Sequence, residues 1–198
     1  MKGLILAALL AALSACGPAA EAPAPEPKFL ATDITGAPWG HDFKLTDHAG
    51  QVRTLADFRG KVVAIFFGYT HCPDVCPTTL SDFAMAIREL GAEGQNVQVL
   101  FVTVDPERDS AELLAKYVPS FNPTFLGMYT DPASLAELAR DFKVVYQKNS
   151  VKGPTEYLMD HSAGTYVFDS QGRLRLHIAY GTGPAAIAQD LRVLLAQK

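Results

Sequence analysis

Cys72 and Cys76 stand four positions apart in the stretch FGYTHCPDVCPTT, with His71 in front of the first and a proline behind each. Two thiols at that spacing can trade disulfides, clamp a soft metal or close a structural bridge. The bridge is the weakest reading, because a disulfide restrains the unfolded chain more as its loop grows, and this loop is short. At 48% hydrophobic residues, the chain also has the apolar content for a core without a staple. A gap of three residues is wider than the usual redox motif. It still permits a disulfide, and it leaves room for metal–sulfur bonds of about 2.3 Å. Soft thiolates suit Cu(I), Zn(II) and, with nitrogen help, Cu(II). Two sulfurs seldom complete such a site, so a metal reading asks for a third donor.

Five histidines compete for that place. His177 alternates with Leu174, Leu176 and Ile178 and reads, with Arg175, as the solvent side of a strand. His48 falls in a turn and His41 in the loop entering it. His71 adjoins Cys72, but successive side chains point in different directions. His161 remains, in Asp160-His161-Ser162-Ala163-Gly164 before an apolar run. Either Asp160 or Ser162 can fix the tautomer of its imidazole. Spacing alone does not set His161 beside the cysteines, and a lone histidine entering a strand is commonly structural.

The elements around these residues alternate between strand and helix. Val62 to Phe67 is a continuous apolar run suited to a strand buried on both faces. Leu80, Phe83, Ala84, Ile87 and Leu90 follow at helical spacing, then Val97 to Val104 reads as a second buried strand. Pro77 suits the first helical position, which would make Cys76 the cap and leave Cys72 in the loop before it. A helix start offers free N–H groups and a positive dipole end, both of which favour a thiolate. Asp109 with Glu112 reads as an acidic capping box for a helix through Leu113, Leu114 and Tyr117. The stretch Asp105 to Asp109 thus reads first as a strand end and helix cap; its alternative role is to lie at the same sheet end as the cysteines and face a partner, with Asp105 the residue to test and not a ligand.

Phe43 to Leu45 and Val52 to Leu55 flank Asp47-His48-Ala49-Gly50 as a hairpin. Short strands are expected at Phe125 to Tyr129 and Val144 to Gln147, with a helix from Pro132 to Phe142 between them. A second hairpin spans Tyr166 to Phe168 and Leu174 to Ile178, and a final helix runs from Pro184 to Ala196. Such alternation implies an α/β fold with a mixed sheet flanked by helices and an N-terminal hairpin extension. The cysteines then sit at the carboxyl end of a buried strand, where open α/β sheets bind ligands.

The length of 198 residues suits one domain, and a net charge of −4 offers no basic surface for nucleic acid. Lys2, the apolar run Leu4 to Leu13 and the sequence Leu13-Ser14-Ala15-Cys16 read as a signal peptide. The run is too short for a membrane span, which takes roughly 20 residues. The LSAC stretch resembles a bacterial lipobox and marks Cys16 for lipidation. Residues 1–15 are thus expected to be the leader and residues 16–28 the lipidated cysteine and a tether. Prolines at 18, 23, 25 and 27 let that tether reach roughly 35–40 Å if extended. Residues 29–198 form the domain. The placement this implies is the bacterial cell envelope, facing the periplasm on a lipid anchor.

FFGYTHCPDVCPTTL, with VDPERD from Val104 to Asp109 and DHSAGTYVFD from Asp160 to Asp169, resembles the Sco/SenC family of thioredoxin-fold copper proteins. The likeness runs from about Asp33 to the C-terminus. It implies a thioredoxin-like fold and one bound copper ion, Cu(I) or Cu(II), held by Cys72, Cys76 and His161; Asp160, by its place beside His161, and Asp105, by its place at the sheet end, are candidates for support. It further implies delivery of copper to subunit II of cytochrome c oxidase, or reduction of that subunit's cysteines. A periplasmic copper donor and a thiol reductant would be further partners. The rival is a metal-free thiol–disulfide oxidoreductase, with Cys72 attacking and Cys76 resolving. A sensor of redox state or copper stress would use the same atoms. A thiol peroxidase on this fold would carry threonine three residues before its reactive cysteine, where Tyr69 and Pro73 stand instead.

Overall fold

A strand covered on both faces carries apolar side chains at every position, and two such strands lie side by side at the centre of this protein. The computed structural model describes residues 28–152 and 156–197. The leader, Cys16 and all of the tether but Lys28 lie outside the described residues. In chain order the elements are β1 (Thr32–Asp33), β2 (Lys44–Asp47), β3 (Val52–Thr54), β4 (Val62–Gly68), α1 (Val75–Glu89), β5 (Val97–Thr103), α2 (Ala111–Tyr117), β6 (Leu126–Tyr129), α3 (Pro132–Asp141), β7 (Tyr146–Lys152), β8 (Glu156–His161), β9 (Thr165–Phe168), β10 (Leu174–Ile178) and α4 (Pro184–Ala196). Every residue of β4 and β5 is buried. No described helix is long and apolar enough to cross a membrane.

Eight strands join in the order β1-β10-β9-β4-β5-β6-β2-β3. The pairs β4–β5 and β5–β6 are parallel, and the others are antiparallel. Parallel neighbours need crossovers, which α1 and α2 provide. One face of the sheet carries Phe66, Gly68 and Phe101 against Cys76 of α1 and Tyr117 of α2. The other carries Phe67 and Phe168 against Phe142, just after α3. This mixed sheet between helices, with the hairpin β2–β3 at one edge, is the thioredoxin-like architecture that the resemblance implied.

Four local expectations are corrected. Helix α1 starts at Val75, with Asp74 as its cap, so Cys76 lies inside the first turn and Pro77 third in the helix. Proline is tolerated there because no N–H of the first turn has an acceptor within the helix. The cap of α2 is Ser110, whose Oγ accepts from the Leu113 amide at 3.2 Å, and Asp109 is turned inward. The strand expected at Val144 to Gln147 is the longer β7, paired with β8 in a hairpin separate from the main sheet. Arg175 and His177 are not on a solvent face. β10 is flanked by β1 and bulged between Leu174 and Leu176; Arg175 is buried against Asp169, while His177 packs half-buried against Tyr166 and over Gly164.

Gly68 ends β4 where the sheet meets the first turn of α1. A Cβ there would stand 2.8 Å from Cys76 Sγ, 2.8 Å from the Phe101 ring and 2.9 Å from the Phe66 ring. All three are fully buried, so none can swing away. Gly68→Ala is expected to destabilise the protein by about 1–3 kcal/mol, the usual cost of overpacking, read as a lower midpoint in denaturant unfolding.

Candidate metal centre

Three side chains from two separate parts of the fold converge beyond the carboxyl end of β4. Cys72 lies in the loop after β4, Cys76 in the first turn of α1, and His161 at the last position of β8, opposite Tyr146. One ligand atom from each falls within 4.8 Å of the others. Both cysteines are free thiols. Cys76 Sγ sits 3.4 Å from His161 Nε2. The Cys76 amide, one of the unpaired N–H groups of the helix start, points at Cys72 Sγ at 3.5 Å.

The imidazole is fixed on three sides. Its Nδ1 lies 3.0 Å from the carbonyl oxygen of Ser162. A carbonyl can only accept, so Nδ1 carries the proton and Nε2 keeps its lone pair towards the sulfurs. The rings of Phe66 and Tyr69 meet it edge-on at 6.0 and 5.8 Å between centroids. Of the two residues expected to set the tautomer, Ser162 does so through its backbone, while its hydroxyl serves the Val145 amide. The Asp160 carboxylate is exposed and accepts from Asn149 at 3.3 Å.

Burial sets the protonation of the donors. Cys76 is fully buried, and desolvation pushes its thiol well above the ordinary range, against a backbone hydrogen bond from Tyr69 that pulls it down. Desolvation likewise holds His161 below the usual imidazole range, opposed by the Ser162 carbonyl and by the charge of Asp160. The resting site is therefore a protonated Cys76 beside a neutral imidazole. The helix start does not by itself make Cys76 a thiolate, since removal from water outweighs it. Cys72, half-buried, lies nearer to solvent.

Two sulfurs and one imidazole nitrogen form a soft donor set. Around a single ion with bonds of about 2.0–2.3 Å, three such donors stand roughly 4 Å apart. The observed spread exceeds that by less than about 1 Å, so a soft ion fits with a small inward movement. The other histidines do not join. His71 is half-exposed and lies beside Thr70 Oγ1 at 3.0 Å, and His48 Nδ1 accepts from the Gly127 amide at 3.0 Å. His41 is exposed in its loop.

The turn after β5 holds both halves of the site. Asp109, 2% exposed, accepts from the Thr70 amide at 3.0 Å, Thr70 Oγ1 at 2.6 Å and Thr103 Oγ1 at 2.6 Å. That pins the cysteine loop to the end of β5. Asp105, for which facing a partner is the alternative role, is 3% exposed and accepts from Tyr157 Oη at 2.9 Å and from Arg108. Sequence reading missed Gly68, Tyr69, Arg108 and Tyr157. No sequence period marks Tyr157: Tyr157, Leu158 and Met159 are consecutive apolar residues, and only in the structure does Leu158 face outward while Tyr157 and Met159 are buried.

A family model described as SCO1/SenC matches residues 31–196. The mitochondrial protein SCO2 homolog of Bos taurus is 42% identical over 133 residues, 66% of this chain and 50% of that protein. The chain thus spans about half the length of this curated relative. Among solved structures, Bradyrhizobium japonicum ScoI with copper bound is 38% identical at a TM-score of 0.72, covering 79% of this chain and 99% of that one. The apo Sco1 protein of Thermus thermophilus is 40% identical at a TM-score of 0.76, covering 87% and 100%.

The lowered pKa of His161 has a stability consequence. Below the ordinary imidazole pKa of 6.5 the unfolded chain takes up a proton that the folded site resists, so stability falls as pH drops from 6.5 towards the folded value. His177, also lowered by burial, contributes with the same sign. Denaturant melts of the reduced, metal-free protein between pH 7 and 5 should show this loss. The His161→Gln variant should show a shallower one, with the His177 share remaining.

Proposed function

The chain belongs to the SCO1/SenC family, and on that premise we propose that it is a copper-binding assembly protein for cytochrome c oxidase. Cys72, Cys76 and His161 hold one copper ion, Cu(I) or Cu(II). The protein hands that ion to subunit II of the oxidase, or reduces the cysteines there so that they can receive it. A lipid on Cys16 and the proline-rich tether keep the domain at the periplasmic side of a bacterial membrane, within reach of a copper donor and a thiol reductant. The observation that carries the reading is the convergence of two thiol sulfurs with an imidazole nitrogen whose lone pair faces them. The copper in the Bradyrhizobium relative supports the choice of ion.

The roles of the three side chains follow from their surroundings. Copper serves as the cargo, and softness matches it to the sulfurs. His161 presents Nε2 without first losing a proton, because burial keeps the ring neutral and Ser162 holds the other nitrogen protonated. Cys76 must give up its proton to bind, so uptake releases protons and strengthens as pH rises. Oxidation of the pair to a disulfide removes two protons and two electrons and leaves no thiolate, so redox state gates the site. A second use of the same pair is supported by its asymmetry, with Cys72 half-exposed and Cys76 buried. Cys72 thiolate can attack a disulfide of the recipient, and Cys76 can then displace the mixed disulfide, leaving the recipient with two thiols and this protein with a disulfide.

Competition of the reduced protein with a Cu(I) chelator tests the assignment. Cys72→Ala and Cys76→Ala should each weaken binding by at least about 100-fold and His161→Ala by about 10-fold or more, at or above the range for residues beyond the ligands. Variants that bind as well as the unmodified protein would remove the copper reading. Efficient disulfide turnover by metal-free protein, unchanged in His161→Ala, would favour the oxidoreductase in its place.

A further inference from the structure

The hairpin β7–β8, which delivers His161, pairs with no other strand among the described residues. A two-stranded hairpin is marginal by itself, so its placement against the cysteines rests on side chains. Within the turn after β5, Asp105, Glu107 and Arg108 reach it. The pair Lys148 Nζ to Glu107 Oε2, 2.8 Å, is exposed and contributes little. Arg108 is different. Its Nε donates to Asp105, its Nη1 donates to the backbone carbonyl of Tyr157 at 2.9 Å, and its guanidinium lies 3.5 Å from the centre of the Tyr157 ring. Tyr157 closes the circuit by donating its hydroxyl to Asp105 at 2.9 Å.

The same guanidinium lies 5.7 Å from the centre of the Tyr69 ring, which packs edge-on against the imidazole of His161. It therefore touches both the strand that carries the histidine and the ring that walls it. Only a planar fork meets a carboxylate, a carbonyl and a ring face at once. The arrangement has a cost, because Nη2 is buried with no partner.

We propose that Arg108 is a positioning residue for His161, fixing the imidazole at its distance from Cys72 and Cys76. It acts through the hairpin and touches none of the three donors. Asp109, on the same turn, does the corresponding work for the cysteine loop. The turn from Asp105 to Asp109 thus sets the spacing between the sulfurs and the nitrogen. This rests on the copper reading for its effect on binding, and on geometry alone for its effect on the hairpin.

The test is Arg108→Gln in the whole protein, alone and combined with His161→Ala. Two quantities are measured: Cu(I) affinity by chelator competition, and amide hydrogen exchange of the metal-free protein. Arg108→Gln is expected to weaken Cu(I) binding by about 10–100-fold. In the His161→Ala background its effect should shrink to within about twofold, the scatter of independent sites. Exchange should accelerate in β8 while β4 and β5 keep wild-type protection. A loss of affinity as large without His161 as with it, or wild-type exchange in β8, would overturn the proposal. Should the unmodified protein take no copper, the functional reading fails while the exchange measurement still decides this one. If Arg108→Gln does not fold, Tyr157→Phe keeps the ring and carbonyl, removes only the hydroxyl, and is held to the same two readouts.

Discussion

A carboxylate taken out of water must recover its hydrogen bonds from the protein, and Asp109 recovers three, from the Thr70 amide and from the hydroxyls of Thr70 and Thr103. Those partners sit just past the end of β4 and on the last residue of β5, the two parallel strands at the centre of the sheet. The bonds tie the loop that carries Cys72 to the strand beside it. They also explain why α2 is capped by Ser110: Asp109 is already committed inward. Four residues earlier, Asp105 takes up Arg108 and Tyr157 and so gathers the hairpin that ends in His161. One turn, with a carboxylate at each end, thereby joins two parts of the chain that are 85 residues apart.

The same burial that demands those bonds tunes the donors. It raises the Cys76 thiol and lowers His161, both for want of water around a charge. The two shifts act together to keep Cys76 and His161 uncharged in the metal-free protein. A cation that displaces the thiol proton then enters an apolar surround of Phe66, Tyr69 and Phe101, where its attraction to sulfur is little screened. Gly68 is the steric condition for this arrangement, because any side chain there would occupy the space of the Cys76 sulfur.

Much of this was legible in the sequence wherever a single period ruled. The unbroken apolar runs of β4 and β5, the hairpin β9–β10 and the helix from Pro184 to Ala196 follow directly from pattern and turn residues. What could not be read depends on contacts distant in sequence. β7 is written in largely polar residues, YQKNSVK, and its only strand partner among the described residues is β8. Asp109 fits a cap by its spacing and is drawn inward by Thr70 and Thr103, one of them 39 residues away. Arg175 and His177 read as solvent-facing by alternation, but β1 pairs alongside β10 and Arg175 meets Thr35 and Asp169. His161 could be singled out by elimination and by resemblance, yet its meeting with the cysteines belongs to the hairpin, of which the sequence reading had only the short strand Val144 to Gln147 and neither β8 nor the pairing.

The central claim is that one copper ion is held by two sulfurs and one specific imidazole. X-ray absorption at the copper edge of the reduced, copper-loaded protein reads those donors directly. The account predicts two sulfur neighbours at about 2.3 Å and one imidazole nitrogen at about 2.0 Å, with the nitrogen shell lost in His161→Ala and retained in His71→Ala. A single sulfur, or an imidazole shell that survives His161→Ala, would contradict it.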